Sequence, residues 1–121
     1  MGKYGIIFYQ KDNGRIPVQE FLDGLPKDQQ TKGVRDINIL EERGPDLRPP
    51  SSKHIKEGIF ELRIQASGNN LRVFYFFFHG NQIVLTNGFL KKTQKTPPRE
   101  LRRALRYKRD WEKRMQNADI R

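Results

Sequence analysis

The chain has 121 residues, no cysteine, 35% hydrophobic content and a formal net charge of +10, from 24 Lys and Arg against 14 Asp and Glu. That length supports one domain with a modest core, the lack of cysteine excludes disulfide staples and thiolate metal sites, and the charge suits a polyanionic partner. The longest apolar run, Val73 to Phe78, is too short to cross a bilayer, and Met1 to Tyr9 lacks the apolar core of a signal peptide, so a soluble cytoplasmic protein with no membrane role is expected.

Tyr4 to Tyr9 is a short aromatic and β-branched run that ends at the turn-prone Lys11-Asp12-Asn13-Gly14, which predicts an opening strand. Pro17 suits a first helical turn, and Val18, Phe21, Leu22 and Leu25 recur at i, i+3, i+4, i+7, so an amphipathic helix follows. A second helix is expected after Pro26, with Val34, Ile37 and Leu40 on one stripe, ending before Gly44-Pro45. Gly33 inside it costs about 1 kcal/mol relative to Ala unless close packing needs its small size.

Beyond a loop at Pro49-Pro50-Ser51-Ser52 come three strand-like runs, Ile59 to Gln65, Leu71 to His79 and Gln82 to Phe89. The breaks between them are hairpin-sized and carry Gly and Asn, which predicts an antiparallel meander. Both alternating faces of Val73 to Phe78 are apolar, as in a central strand covered on each side, so these aromatics read as core rather than as base-stacking platforms. Thr96 is placed to cap a last helix with Pro97 in its first turn, and Leu101, Ala104, Leu105 and Trp111 form its partial apolar stripe. The order strand, helix, helix, three strands, helix gives an α+β domain, a single unit over residues 1–121.

Charge is segregated. From Gly88 onward 12 Lys and Arg stand against 4 Asp and Glu, net +8, whereas residues 1–87 carry net +2. In Phe60-Glu61-Leu62-Arg63-Ile64 the odd positions form a charged face, and a hairpin can bring Arg72 beside Arg63 or Glu61. Lys53, His54 and Lys56 lead into the first strand of the meander and Lys91, Lys92 and Lys95 leave the third. These two ends are expected at the same edge of the sheet, so that three segments converge on one basic concavity able to surround a phosphate. The bland readings are an exposed Arg63–Glu61 surface pair and lysines that keep a sheet edge soluble.

No His-x-x-x-His, Cys pair or dense carboxylate cluster points to zinc or magnesium, and neither a Gly-x-Ser-x-Gly nor a Walker sequence is present, so no metal or other cofactor is expected. A cation-rich site has a definite use on RNA. Attack of a ribose 2′-OH on the adjacent phosphate builds charge on non-bridging oxygens, which Arg and Lys stabilise. A Lys among other cations, or His54, can then handle the proton.

Several segments together resemble the phage-derived HigB-like branch of the RelE toxin superfamily, from Tyr4 through about Arg106. They are Pro17-Val18-Gln19-Glu20-Phe21-Leu22 with Leu25-Pro26, Gly44-Pro45-Asp46-Leu47-Arg48, Lys53 with Gly58-Ile59-Phe60-Glu61-Leu62-Arg63, Arg72-Val73-Phe74-Tyr75, and Gly88-Phe89-Leu90-Lys91-Lys92-Thr93-Gln94-Lys95-Thr96-Pro97. The resemblance implies a RelE-like fold: a small, largely antiparallel sheet carrying an N-terminal helical hairpin and a basic C-terminal helix. It also implies the toxin of a type II toxin–antitoxin system, a metal-independent, ribosome-dependent mRNA endoribonuclease that inhibits translation. Its partners would be the ribosome, mRNA and a helix-turn-helix, HigA-like antitoxin, with DNA reached only through the antitoxin.

By position, Lys53, Arg63, Arg72, Lys91 and Lys92 match basic motif residues, with Arg63 and Arg72 expected on the scissile phosphate and Lys53 or His54 on the proton. Lys56, Lys95, Arg99, Arg102, Arg103 and Arg106 are the expected RNA contacts. Two departures stand out: Pro97-Pro98 doubles a single proline, and Thr86-Asn87 replaces an apolar residue and a His. Residues 107–121 form an extension that the resemblance covers poorly, expected to fray, hold ribosomal RNA or dock the antitoxin. A non-catalytic RNA- or DNA-binding protein on the same scaffold is the competing expectation.

Overall fold

The structure, a computed structural model, describes residues 4–119. Five strands form one sheet: β1 (Gly5–Phe8), β2 (Ser52–Lys56), β3 (Ile59–Ala66), β4 (Asn69–Phe78) and β5 (Gln82–Leu90). Their spatial order is β1-β5-β4-β3-β2, with β1 parallel to β5 and every other pairing antiparallel. Three helices complete the α+β fold: α1 (Pro17–Asp23), α2 (Lys27–Arg43) and α3 (Pro98–Asp119).

The meander forms as the alternation predicts, and β4 is the central strand, with Leu71 through Phe76 all buried. Its even-numbered and odd-numbered side chains enter different cores. Val73 and Tyr75 pack with Leu62, Ile64 and Leu85 against α1 and α2, whereas Phe74 and Phe76 pack with Val84, Phe89 and Ala104 against α3. Ser67-Gly68 and His79-Gly80 hold positive φ in the two tight turns, the backbone twist that suits short hairpins.

Ser52 to Lys56, expected as loop, form the edge strand β2, paired with β3 through a Glu57-Gly58 turn in which both residues have positive φ. An exposed edge strand needs no apolar alternation, and Ser-Lys-His-Ile-Lys shows none. In α2 the buried stripe is Gln29, Gly33, Ile37 and Leu40, while Val34 is 45% exposed. Gly33 takes the inward position because a Cβ there would stand 3.1 Å from Leu22 Cδ2 of α1. The α1–α2 crossing therefore uses the one residue type that needs no space.

Thr96 does not cap α3. The carbonyl of Pro97 accepts from the amides of Glu100 and Leu101, and Pro98 is the first helical residue, so each proline of the doubled pair has its own place at the helix start. Of the extension expected over 107–121, positions 120 and 121 lie outside the described residues, and 107–119 are helical. They continue α3, with Tyr107 buried and stacked on Tyr9 at 4.6 Å between ring centroids and Trp111 edge-on to Phe78. Tyr9 Oη donates to Asp110 Oδ2 at 2.5 Å, and Arg114 joins Asp110, Asp12 at 2.9 Å and the Gln10 carbonyl at 2.7 Å. Burial first, then the hydrogen bond and charge of Asp110, raise the Tyr9 phenol well above the ordinary tyrosine range.

Gly88 faces α1, and a Cβ on it would overlap the Phe21 ring. Gly88→Ala is expected to lower stability by about 1–3 kcal/mol in urea denaturation, the usual cost of overpacking. In Gly33→Ala the tight contact with Leu22 is offset by helix propensity, so its change should stay within about 1 kcal/mol.

Candidate functional site

The charged face of β3 is not a surface. Glu61 is fully buried, and its carboxylate is the meeting point of three segments. Arg63 Nε, two residues along the same strand, donates to Glu61 Oε1 at 3.0 Å, Arg72 Nε of β4 stands 3.5 Å from the same oxygen, and Thr96 Oγ1 donates to Oε2 at 3.4 Å. The β3–β4 register places Arg63 directly opposite Arg72, so the two guanidiniums lie side by side over one carboxylate. The exposed-pair reading of Arg63 and Glu61 is thus replaced by a cluster in which a buried anion holds one buried cation, Arg72, and one half-buried cation, Arg63.

Burying such a cluster is costly unless each member is partnered. Arg72 is 9% exposed and donates from Nη1 to the Leu71 carbonyl at 3.0 Å, but its buried Nε makes no well-aligned hydrogen bond. Desolvation, with a smaller contribution from Arg63, pulls the Arg72 pKa down against the opposing pull of Glu61, and an arginine so placed gains from any added anion.

Two clefts open beside Arg72, and one of them reaches Arg63 as well. One, of about 360 Å³, is lined by Asn70, Arg72, Lys91, Lys92, Thr93 and Gln94, at the place where β5 ends and the amide of Lys91 donates to the Asn70 carbonyl. The other, of about 530 Å³, lies round the edge of β3 beyond the first residue of β2, and brings Arg63 and Arg72 together with Lys32, Arg35 and Asp36 of α2. Arg72 belongs to both.

Of the residues expected at the site, Arg72 is therefore brought together with Arg63 in one cleft and with Lys91 and Lys92 in the other. Lys53 pairs across from Glu61 and shares its face of the sheet, exposed on the edge strand. Three strand spacings, about 14 Å, separate its strand from β5. His54 pairs with Phe60 and lies edge-on to that ring at 5.1 Å, on the opposite face from Glu61. Lys56 is farther down β2, level with Ile59, and Lys95 is exposed in the loop before α3; neither lines either cleft.

The expected convergence at one edge fails for a geometric reason. Strands β3 and β5 run the same way, so the start of β3 and the end of β5 lie at opposite ends of the sheet. Lys91 and Lys92 instead meet the start of β4, at Asn70 and Arg72, level with the far end of β3.

On α3, Arg99, Arg102 and Arg106 are exposed, and so are Arg109 and Lys113. At 100° per residue these five fall within about 80° around the axis, a single cationic stripe. None of them is paired with a carboxylate among the described residues. Arg103 is different: it pairs with Glu100 at 3.5 Å and lines a separate cleft with Lys11, Arg15 and Asn87. Asn87 is buried in a β-bulge opposite Phe74, where it accepts from Thr86 and donates to the Glu100 carbonyl, so the residue in the departing position fastens the first turn of α3 to the sheet.

Residues 20–109 match the family described as phage-derived protein Gp49-like (DUF891). The chain belongs to this family. It is a family of RelE/HigB-like toxin type, associated with the toxins of toxin–antitoxin systems, which in general are held by an antitoxin. A search of curated proteins finds no match. All of the clustered cations, and Glu61 beneath them, fall inside the matched segment. Among the described residues no helix is long and apolar enough to cross a membrane, and no group of three or more His, Cys, Asp or Glu is placed to hold a metal ion.

The burial of Glu61, the Thr96 bond to it, and Lys32, Arg35 and Asp36 of α2 are what the sequence does not disclose. For Glu61 the available signal was a carboxylate two positions from an arginine inside an otherwise apolar strand, where exposure was the wrong assumption. Glu61→Ala is expected to cost about 3–5 kcal/mol in urea denaturation, because it leaves the buried Arg72 guanidinium unpaired. Adding Arg72→Met in that background should recover part of the loss, and strictly additive costs would contradict the coupling.

Proposed function

We propose that this Gp49-like protein is the toxin of a toxin–antitoxin pair and acts as a metal-independent, ribosome-dependent endoribonuclease on messenger RNA. The observation that carries the reading is the Arg63–Arg72 pair over buried Glu61, with Lys91 and Lys92 beside it. Two guanidiniums fixed before substrate arrives suit the dianionic character that develops when a phosphate becomes five-coordinate. In the proposed step the ribose 2′-oxygen bonds to phosphorus while the bond to the 5′-oxygen breaks. The products are a 2′,3′-cyclic phosphate and a 5′-hydroxyl end.

One proton leaves the 2′-OH and one arrives on the departing 5′-oxygen. Lys53 is the proposed proton carrier, since it shares the Glu61 face, whereas His54 stands on the other. Lys91 and Lys92 would neutralise the neighbouring phosphates. The stripe Arg99, Arg102 and Arg106, extended by Arg109 and Lys113, fits a ladder of phosphates such as ribosomal RNA presents. A helix-turn-helix antitoxin of HigA-like type is the proposed partner in the neutralised state.

Primer extension on a defined message in a purified translation system, with and without ribosomes, tests the reading. Wild type is expected to cut only with ribosomes, and folded Arg72→Ala to lose about 10²–10³-fold in rate, the size of one lost oxyanion donor. Folded wild type that binds RNA but leaves the message intact under both conditions would favour a non-catalytic binding protein on this scaffold. Replacing Arg102 and Arg106 by Gln should weaken ribosome binding and reduce its salt dependence by about one unit of slope per lost phosphate contact.

A further inference from the structure

The larger of the two clefts beside Arg72 is bigger than a phosphate requires. Its volume of about 530 Å³ lies within the range of small-molecule sites, about 300–1,000 Å³. Arg63 and Arg72 form one end of it. The remainder is walled by α2 and the turn after it, and that wall is chemically mixed. Ile39 is 39% exposed in an otherwise polar helix face, and Leu47 and Pro50 stand with it.

Arg35, one turn before Ile39, is exposed and has no carboxylate partner among the described residues. Beside it Lys32 Nζ binds both oxygens of Asp36, at 2.8 and 2.7 Å, which leaves each carboxylate oxygen with a free lone pair directed elsewhere.

We propose that this α2 wall seats a nucleobase next to the phosphate held by Arg63 and Arg72, and that guanine is the base it fits best. The proposal rests on the RNA-cleaving reading and adds a base preference to it. An anionic end joined to a flat apolar body is the shape of a nucleotide. Ile39, Leu47 and Pro50 supply the apolar surface, and the Arg35 guanidinium is free to stack on the other face of the ring. Asp36 accepts, Lys32 donates, and the two are already held together.

Guanine offers the carboxylate two donors, N1–H and N2–H, and leaves O6 for the ammonium. Adenine and cytosine offer the carboxylate one amino group each, and uracil one ring N–H between two carbonyls. A polar site built for two donors rejects a base that supplies one, because an acceptor is then left unpaired.

The experiment is an NMR titration of the full chain, in the absence of ribosomes, with guanosine 3′-monophosphate, uridine 3′-monophosphate and inorganic phosphate. The guanosine nucleotide should bind about tenfold more tightly than the uridine nucleotide, within what a bidentate base contact discriminates, and should shift the Ile39 methyl signals. Inorganic phosphate should shift the Arg63 and Arg72 side-chain signals and leave Ile39 unmoved. Asp36→Asn should reduce the guanine preference to below about twofold. Ile39→Ser, at an exposed position, should weaken both nucleotides and spare inorganic phosphate.

Equal binding of the two nucleotides with no shift at Ile39 would overturn the base seat while leaving the phosphate site standing. Phosphate and nucleotides that leave Arg63 and Arg72 unshifted would overturn the phosphate site, and the base seat with it.

Discussion

A carboxylate with no access to water sits under two guanidiniums on β3, one strand in from the sheet edge, and much else follows from it. Buried Glu61 demands positive charge; Arg63 answers from the same strand, and Arg72 joins it when β3 and β4 pair in the register that sets Arg63 against Arg72. A slip of one residue would turn every side chain of β3 to the other face and carry a charged residue into the apolar core under α1 and α2. The cluster therefore specifies the register as well as the site. Two cations over one anion also leave a net positive centre, so the interaction that closes the fold remains unsatisfied toward an added anion. The Thr96 bond to the same carboxylate ties the basic loop from Lys91 to Lys95 to this centre.

The rest of the fold holds that centre at an accessible edge. The sheet is covered on both faces, by α1 and α2 on one side and α3 on the other, so β4 is a near-continuous apolar strand and a rigid support. Close approach is obtained by omission of side chains: Gly33 admits Leu22 and Gly88 admits Phe21. The bulge at Thr86 and Asn87 fixes the start of α3, and the Tyr9, Asp110 and Arg114 cluster fixes its later turns. With both halves anchored, the exposed arginines of α3 form an ordered array rather than a loose tail.

Much of the architecture is legible in the sequence because period and punctuation agree. The i, i+3, i+4 apolar positions of α1, the alternation in β3 and the Ser67-Gly68 and His79-Gly80 turns each have a direct physical cause that the structure bears out. Strand β2 is illegible because an edge strand can be polar throughout. Val34 misleads because apolar character suggests burial, while the true inward residue, Gly33, carries no hydrophobic signal. For the site, the pairing of Arg63 with Arg72 can be read from the hairpin, but the burial of Glu61 cannot, since alternation gives a face and not what covers it. His54 and Lys56 are displaced for a reason of the same kind: adjacency to Lys53 in sequence fixes neither face nor level in a strand. The α2 wall of the larger cleft leaves no trace in the sequence, because no local pattern tells which helix turns toward a sheet edge.

The most direct test of the central claim, that Glu61 holds Arg63 and Arg72 ready for a phosphate, is to follow the arginine Nε–H signals while a 2′-deoxy, non-cleavable oligonucleotide is added. Arg63 and Arg72 should already give sharp, slowly exchanging signals in the free protein, and both should shift on binding. Broad, rapidly exchanging Arg63 and Arg72 signals that do not respond, with shifts confined to Arg99, Arg102 and Arg106, would contradict the account.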